Sequence, residues 1–268
     1  MSMAHPVLRL PANTAGRDFV VGDIHGAYDL VIAAMRAVRF DRTRDRLFCV
    51  GDLVDRGAGS ARCLGFLSQP YVHAIRGNHD HDLTTIDHRT AQVLAGINFN
   101  GTAWLEDVTE EQFLSIQSAL ARLPFAMEVQ TARGLVGIVH GDVPAGLSWQ
   151  EFTQRLEEGD EKTIEIALTG RDRLRAHRDE GVEGIGRVFV GHTVQWQGAR
   201  RLGNVYAVDT GAVFREVFED GRGALSMANL TCTTGALFPP ADEARRPVEL
   251  YDRPGEGPFG DYARPRCR

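Results

Sequence analysis

The sequence predicts an α/β layered domain, and three observations carry that expectation. Short apolar runs of strand length alternate with segments of helical period. Five of those runs end in clusters of Gly, Asp, Asn and His. The chain, 268 residues with 43% hydrophobic and 25% charged side chains, is also long and apolar enough for a sizeable core. In such layered folds the side chains that do chemistry collect at strand ends, so the five clusters are where function is expected.

The first run, Phe19-Val20-Val21, leads into Gly22-Asp23-Ile24-His25-Gly26. Side chains two apart on extended backbone leave on the same side, so Asp23 and His25 can reach one ion. Leu30, Val31, Ala34, Met35 and Val38 then fall at helical spacing, which completes a β-α unit over residues 27–38. Leu47 to Val50 forms the next strand, ending in Gly51-Asp52, and residues 60–67 read as a helix stopped by Gln69-Pro70. Val72 to Ile75 follows and ends in Arg76-Gly77-Asn78-His79-Asp80. From His81 to about Leu123 the pattern is helical, with Thr109-Glu110-Glu111-Gln112 in the form of a capping box. A strand pair is expected at Phe125 to Val129 and Leu135 to Val139, the second ending in His140-Gly141-Asp142. Ser148-Trp149-Gln150-Glu151 opens another helix, and the charges from Glu157 to Lys162 read as a solvated face. Val188 to Val190 ends in Gly191-His192-Thr193, and further strands are expected at Val205 to Val208 and Val213 to Phe218. Asp209-Thr210-Gly211, after an expected strand, could approach the site, and a turn with Gly at a positive φ is the preferred reading.

One domain is expected over residues 1–238. Pro239, Pro240, Pro247, Pro254, Pro258 and Pro265 are six of the chain's 11 prolines, so residues 239–268 read as an extended or disordered Pro/Arg-rich tail. There is no apolar run near the roughly 18 residues a membrane helix needs. The first residues lack the basic-then-apolar pattern of a secretory signal, so a cytoplasmic location is expected. The four cysteines, Cys49, Cys63, Cys232 and Cys267, form no C-x-x-C pair and read as free thiols. A formal charge of −6 argues against nonspecific partnership with nucleic acid or anionic lipid.

Asp23, His25, Asp52, Asn78, His140 and His192 supply three oxygen and three nitrogen donors. That set suits two borderline divalent ions, manganese first and iron or zinc as alternatives, better than calcium or a thiolate-seeking metal. With two ions one carboxylate must be shared, and Asp52 is the natural bridge, with Asp23 and His25 on one side and Asn78, His140 and His192 on the other. Two such ions about 3.5–4 Å apart can hold a hydroxide and clamp the oxygens of an in-line displacement at phosphorus. The reaction class is phosphoester hydrolysis.

In family order, Gly22-Asp23-Ile24-His25-Gly26, Gly51-Asp52-Leu53-Val54-Asp55-Arg56-Gly57, Arg76-Gly77-Asn78-His79-Asp80, His140-Gly141-Asp142 and Gly191-His192-Thr193 cover about residues 19–215. The ordered set resembles the metal-dependent phosphoprotein phosphatases of the calcineurin-like metallophosphoesterase superfamily, in their bacterial and bacteriophage branch. The resemblance implies two mixed β-sheets packed face to face with helices outside, and the metal partition given above. It implies His79 as the general acid for the leaving alkoxide, held and kept cationic by Asp55. Arg56 and Arg76 are implied to grip the phosphoryl oxygens, with Asn78 beside them. A third phosphate-binding arginine falls in Ala167-Leu168-Thr169-Gly170-Arg171-Asp172-Arg173, where Arg171 matches best and Arg173 is the alternative; Thr169 stands where the family often shows tryptophan.

The expected activity is removal of phosphate from phosphoserine or phosphothreonine in proteins, extending to phosphotyrosine and small aryl phosphates. The first rival is a symmetrical dinucleoside tetraphosphate hydrolase with the same metal centre, a group that usually carries a non-acidic residue at the place of Asp55. Superfamily diesterases generally end in Gly-His-x-His, and Val194 occupies the place of the second histidine. A silent module that only holds phosphorylated partners is the rival from another class. His81, His88, Asp82 and Asp142 neighbour the motifs and read as supporting or solvated groups, and His5, His73 and His177 as structural or exposed.

Overall fold

The computed structural model describes residues 5–216, 218, 222–231 and 237–238. In chain order the first half runs β1 (Val7–Leu10), β2 (Asp18–Val21), α1 (Tyr28–Ala37), β3 (Arg46–Cys49), α2 (Cys63–Leu67), β4 (Val72–Ala74), α3 (Asn78–Thr85), α4 (His88–Gly96) and α5 (Glu110–Ala121). The middle adds β5 (Ala126–Thr131), β6 (Gly134–Val139), α6 (Trp149–Glu157), α7 (Glu161–Thr169) and α8 (Asp172–Arg175). The last part gives β7 (Arg187–Val190), β8 (Arg200–Leu202), β9 (Val205–Ala207), β10 (Asp209–Thr210), β11 (Ala224–Leu225), β12 (Met227–Asn229) and β13 (Leu237–Phe238).

Two mixed sheets result, ordered β1-β5-β6-β7-β9-β8 and β13-β12-β2-β3-β4, with β10 and β11 as a small separate pair. The apolar runs of β2, β3 and β7 are continuous because these central strands are buried on both faces. Val20, Phe48, Val50 and Ile75 of one sheet meet Met127, Val129, Val136, Ile138 and Phe189 of the other, forming the interior of a sandwich. The alternate residues Phe19, Val21, Leu47 and Cys49 face outward, under α1, α2 and α5. On the far side Trp149, Phe152, Leu156 and Ala167 of α6 and α7 cover Val188 and Val190. The fold is therefore the α/β sandwich with flanking helices that the sequence implied.

Both capping boxes form: Thr109 Oγ1 accepts from Gln112 N–H and Ser148 Oγ from Glu151 N–H, each at 3.3 Å. The pairing of β5 with β6 is antiparallel through residues 131–134, as expected. The expected strand from Val213 to Phe218 is corrected. Residues 212–216 form a short 3-10 helix, and Phe218 N–H donates to the carbonyl of Phe214 at 3.1 Å. This run buries Ala212 and Val213 and stacks Phe214 on the exposed rings of Phe218 and Trp196, a helical spacing that needs no sheet partner. β1, α7, α8, β8 and β10 to β13 are elements the periodicity did not expose. Cys49 and Cys63 are buried free thiols. Cys232, Cys267 and the tail expected over 239–268 lie outside the described residues. No helix among the described residues is long and apolar enough to cross a membrane.

Candidate metal centre

β2, β3 and β4 are adjacent and parallel, so the segments that leave them emerge side by side. These segments hold one another through backbone bonds. Ile24 and His25 both donate their N–H to the Asp52 carbonyl, at 3.1 and 2.8 Å, and Gly26 donates to Leu53. Asp80 closes the block, its carboxylate accepting Leu53 N–H and Gly77 N–H at 2.9 Å each. Asp80 belongs to a motif but carried no assigned role; its place at the third position of α3, able to accept from the residue before the helix, was the signal.

The tight exits force unusual backbone. His25, Asp52, Asp55, Arg56 and His192 all adopt positive φ, between 46° and 67°. Such conformations cost about 1–3 kcal/mol each in L-residues and persist where the surroundings over-determine them, commonly at functional sites.

The second sheet closes the pocket. His140 follows β6 and His192 follows β7; Gly191 N–H donates to the His140 carbonyl, and His192 N–H to Asp23 at 3.0 and 3.2 Å. A Cβ on Gly191 would lie 2.1 Å from Asp23 Oδ1, so only glycine permits this approach of the two sheets.

Five of the six expected donors, His25, Asp52, Asn78, His140 and His192, are brought together, and the sixth, Asp23, is bonded to the backbone of His192. Ligand atoms of His25, Asp52 and His79 lie within 4.8 Å of one another, as do those of Asp52, His140 and His192. Asp52 belongs to both groups, and its two oxygens stand 3.3 Å from His25 Nε2 and from His140 Nε2. Asn78 Oδ1 is 3.1 Å from His140 Nε2. Asp23 departs from the expected pairing with His25, because its carboxylate is turned to the His192 backbone. His79 stands in the group around His25 instead, with their rings 4.8 Å apart.

The ring orientations suit coordination. His25 and His140 tie Nδ1 to the carbonyls of Val54 and Val50 at 2.8 Å, which directs each Nε2 toward Asp52. Nε2 of His192 is buried and finds no hydrogen-bond partner among the described residues.

The electrostatics point the same way. Burial, then the charges of Asp209 and Asp52, raise Asp23 well above the ordinary carboxyl range. Burial acts on Asp52 likewise, but the imidazoles of His140 and His25 outweigh it and hold Asp52 well below that range. Burial opposes a charge on His140, yet the Asp52 carboxylate pushes it up to about 10. His192 is lowered to about 3 by burial and by the positive neighbours His140 and Arg171. Buried carboxylates that raise one another and draw a proton onto a neighbour make a pocket that favours an added cation. The oxygen and imidazole donors present therefore fit divalent metal ions.

Asp209 is the group the sequence undervalued. The turn expected there keeps its Gly211 at φ 75°, but Asp209 itself is buried and its charge reaches Asp23.

Beside the cluster, His79 Nδ1 meets Asp55 Oδ2 at 2.7 Å. Burial works against charging His79, and the bond to Asp55 with the charge of Asp52 outweighs it, so its pKa is raised. Arg56 reaches over both groups, its guanidinium 2.8 Å from His25 Nε2 and 2.9 Å from His79 Nε2. Arg171 precedes α8; burial, then the cations Arg175 and Arg56, lower its pKa while the carboxylates of Asp209 and Asp23 oppose them, so it lies within electrostatic reach of the pocket. Arg173 does not face it: its Nε donates to Asp142 at 2.9 Å in a buried ion pair. Asp142 is thus a buried structural partner.

Arg76 is also placed differently from its expected role. Its guanidinium donates to the carbonyls of Ala121 and Leu123 at the end of α5 and lies over the Phe125 ring. Unsatisfied helix-end carbonyls compete strongly for a buried arginine. His81 sits beside Arg76, His88 bonds the Val108 carbonyl, and His73 stacks on Phe48, none of them in the cluster.

Comparison with known proteins follows the same residues. A family model described as calcineurin-like phosphoesterase matches residues 19–196. The chain is 33% identical over 212 residues to serine/threonine-protein phosphatase 1 of Salmonella typhimurium strain LT2, covering 77% of this chain and 91% of that protein. It is 40% identical over 84 residues to the symmetrical bis(5'-nucleosyl)-tetraphosphatase of Klebsiella pneumoniae, covering 31% of this chain and 27% of that one. A solved serine/threonine phosphatase structure from Saccharomyces cerevisiae superposes with a TM-score of 0.54 at 17% identity, over 84% of this chain and 76% of that chain, a likeness of fold.

Proposed function

The chain belongs to the calcineurin-like phosphoesterase family, and from that premise we propose that it removes phosphate from phosphoserine and phosphothreonine side chains of proteins. Asp23, His25, Asp52, Asn78, His140 and His192 are assigned to a pair of divalent ions, manganese by preference, with Asp52 shared. Such ions supply Lewis acidity and lower the pKa of water toward neutrality.

The observation that carries the reading is the 2.7 Å bond between Asp55 and His79 beside Asp52. An acidic partner fixes the imidazole and favours its protonated form, so a proton donor faces the leaving oxygen of an alkyl ester, whose alkoxide is a poor leaving group. Arg56 and Arg171 are assigned to the phosphoryl oxygens. An ion held by His25 Nε2 and a proton carried by His79 Nε2 would each remove an acceptor from Arg56, leaving that guanidinium free for substrate. The phosphatase name and 91% coverage of the Salmonella relative support a protein substrate over a dinucleotide. The buried free thiols support the cytoplasmic location proposed with it.

The test compares rates on a phosphothreonine peptide and on diadenosine tetraphosphate, with manganese, iron or zinc added. Faster turnover of the peptide is expected. Preference for the tetraphosphate would transfer the chain to the nucleotide hydrolases, and absence of turnover on both would leave a silent binding module.

A further inference from the structure

Asp55 has two carboxylate oxygens, and only one of them serves His79. The other, Oδ1, accepts the indole N–H of Trp104 at 2.8 Å, from 49 residues away in the chain. Trp104 lies in a short 3-10 turn, Ala103–Leu105, whose Leu105 is fully buried. The preceding loop is left-handed at Asn98, Asn100 and Gly101, and is tied down by Thr102 Oγ1 to the Leu94 carbonyl at 2.9 Å. This loop grips the catalytic turn a second time, since the Gly101 carbonyl accepts Arg56 N–H at 2.7 Å. A Cβ on Gly101 would stand 2.5 Å from the Arg56 Cα, so loop and turn pack backbone to backbone. The turn they hold has consecutive L-residues, Asp55 and Arg56, at φ 67° and 65°. Two adjacent left-handed residues need an outside hold.

We propose that Trp104 is a positioning residue for phosphoester hydrolysis: its indole N–H fixes the Asp55 carboxylate in the rotamer that meets His79, while the Gly101 carbonyl holds the turn that carries Arg56. The inference rests on the reading of His79 as proton donor. A carboxylate with one partner can rotate about its terminal torsion; with a partner on each oxygen it cannot. Indole, carboxylate and imidazole then form one line of hydrogen bonds, with His79 Nε2 as its working end. In this role Trp104 acts through Asp55.

Trp104→Phe keeps the ring and removes the donor. On manganese-loaded protein, kcat for a phosphothreonine peptide should fall about 10–100-fold, the range for losing a supporting hydrogen bond, with KM little changed. For p-nitrophenyl phosphate, whose leaving group needs no proton, the fall should be under about threefold. A merely structural indole cannot tell leaving groups apart, so equal losses on both substrates, or none on either, would overturn the proposal. In an Asp55→Asn background the second substitution should add no further loss, and an additive loss would also count against it. A readout independent of turnover is the Trp104 indole N–H resonance in nitrogen-15-labelled protein. Asp55→Asn exchanges a charged acceptor for a neutral one and should move that resonance upfield; an unmoved resonance sinks the inference even if Trp104→Phe does not fold. Wild-type protein inactive on both esters would instead defeat the phosphatase reading, and the resonance would still decide whether Trp104 and Asp55 are joined.

Discussion

The two sheets contribute unequally to the pocket. The wall that leaves β2, β3 and β4 carries Asp23, His25, Asp52, Asp55, Arg56, Asn78 and His79, and its segments are bonded into one block by the Asp52 carbonyl and the Asp80 carboxylate. The wall that leaves β6 and β7 carries His140, His192 and, after α7, Arg171. It meets the first at a few points: His192 N–H on Asp23, His140 Nδ1 on the Val50 carbonyl, and the tight approach at Gly191. Four residues of the first wall have positive φ and only His192 of the second does. Strain is concentrated where the proposed acid, bridge and phosphate grip would be aimed at one point. The second wall completes the ligand set. Substitutions in the first wall should therefore strike the chemical step, and those in the second should strike affinity or stability.

The largest effect is expected at Asp52, the residue common to both ligand groups. Asp52→Asn should lose metal from the purified protein and lower turnover by more than the roughly 10–100-fold that follows loss of mere outer support. Wild-type protein should be stabilised by manganese, by about 2.7 kcal/mol at a hundredfold excess over Kd, and the variant should show almost no rise in Tm. Elemental analysis with unchanged metal content would remove Asp52 from the centre of the comparison.

His79→Asn comes next. General acid catalysis is worth about 10²–10⁴-fold, so kcat on an alkyl phosphate should fall within that range while an aryl phosphate loses less. Metal content should be retained. Equal loss on the two ester types would mean that the first wall does not supply the proton.

How much of this could be read beforehand follows the same division. The donors were legible as residue types at strand exits, but their directions were not: the extended-backbone rule fails at Asp23-Ile24-His25, where His25 is left-handed at φ 46° and the Asp23 carboxylate turns to the His192 N–H. What depends on distant chain was not legible either. Asp209 is meaningful only because β10 brings it against Asp23, and nothing in Asp209-Thr210-Gly211 announces that neighbour. Arg76 sits in a motif, yet the end of α5, more than 40 residues on, takes its guanidinium. Val213 to Phe218 has the composition of a strand, but stacking of Phe214 with Phe218 and Trp196 gave it helical contacts in place of a sheet partner. The sandwich itself followed from the resemblance; periodicity could show layers and buried strands but not which strand pairs with which.

Arg171 and Arg173 sharpen the comparison within the second wall. They are two residues apart, and the sequence favoured Arg171 with Arg173 as the alternative. Arg171→Ala should raise KM for a phosphorylated substrate several-fold, since a guanidinium–phosphate contact is lost, and leave Tm nearly unchanged. Arg173→Ala leaves Asp142 buried without its cation, a loss of about 3–5 kcal/mol. At about 2–4 °C per kcal/mol for a chain of this size, thermal denaturation should detect it easily. If Arg173→Ala instead raised KM with Tm intact, the assignment of the two arginines would have to be reversed.

The smallest expected effect tests whether the second wall is held from outside. α6 covers β6, with Trp149 packed over Gly137, and it starts at Ser148, whose Oγ accepts Glu151 N–H while Glu151 accepts Ser148 N–H at 2.9 Å. Ser148→Ala removes the cap and should cost about 1 kcal/mol in denaturant unfolding, since the helix end loses one of its satisfied donors. The cap is exposed and lies on the outer face of the sheet whose other face meets the sandwich interior. Turnover measured well below Tm should therefore be unaffected. A fall in kcat without a matching loss of stability would show that α6 transmits directly to His140 through β6, and the second wall would then belong with the first as part of the chemical apparatus.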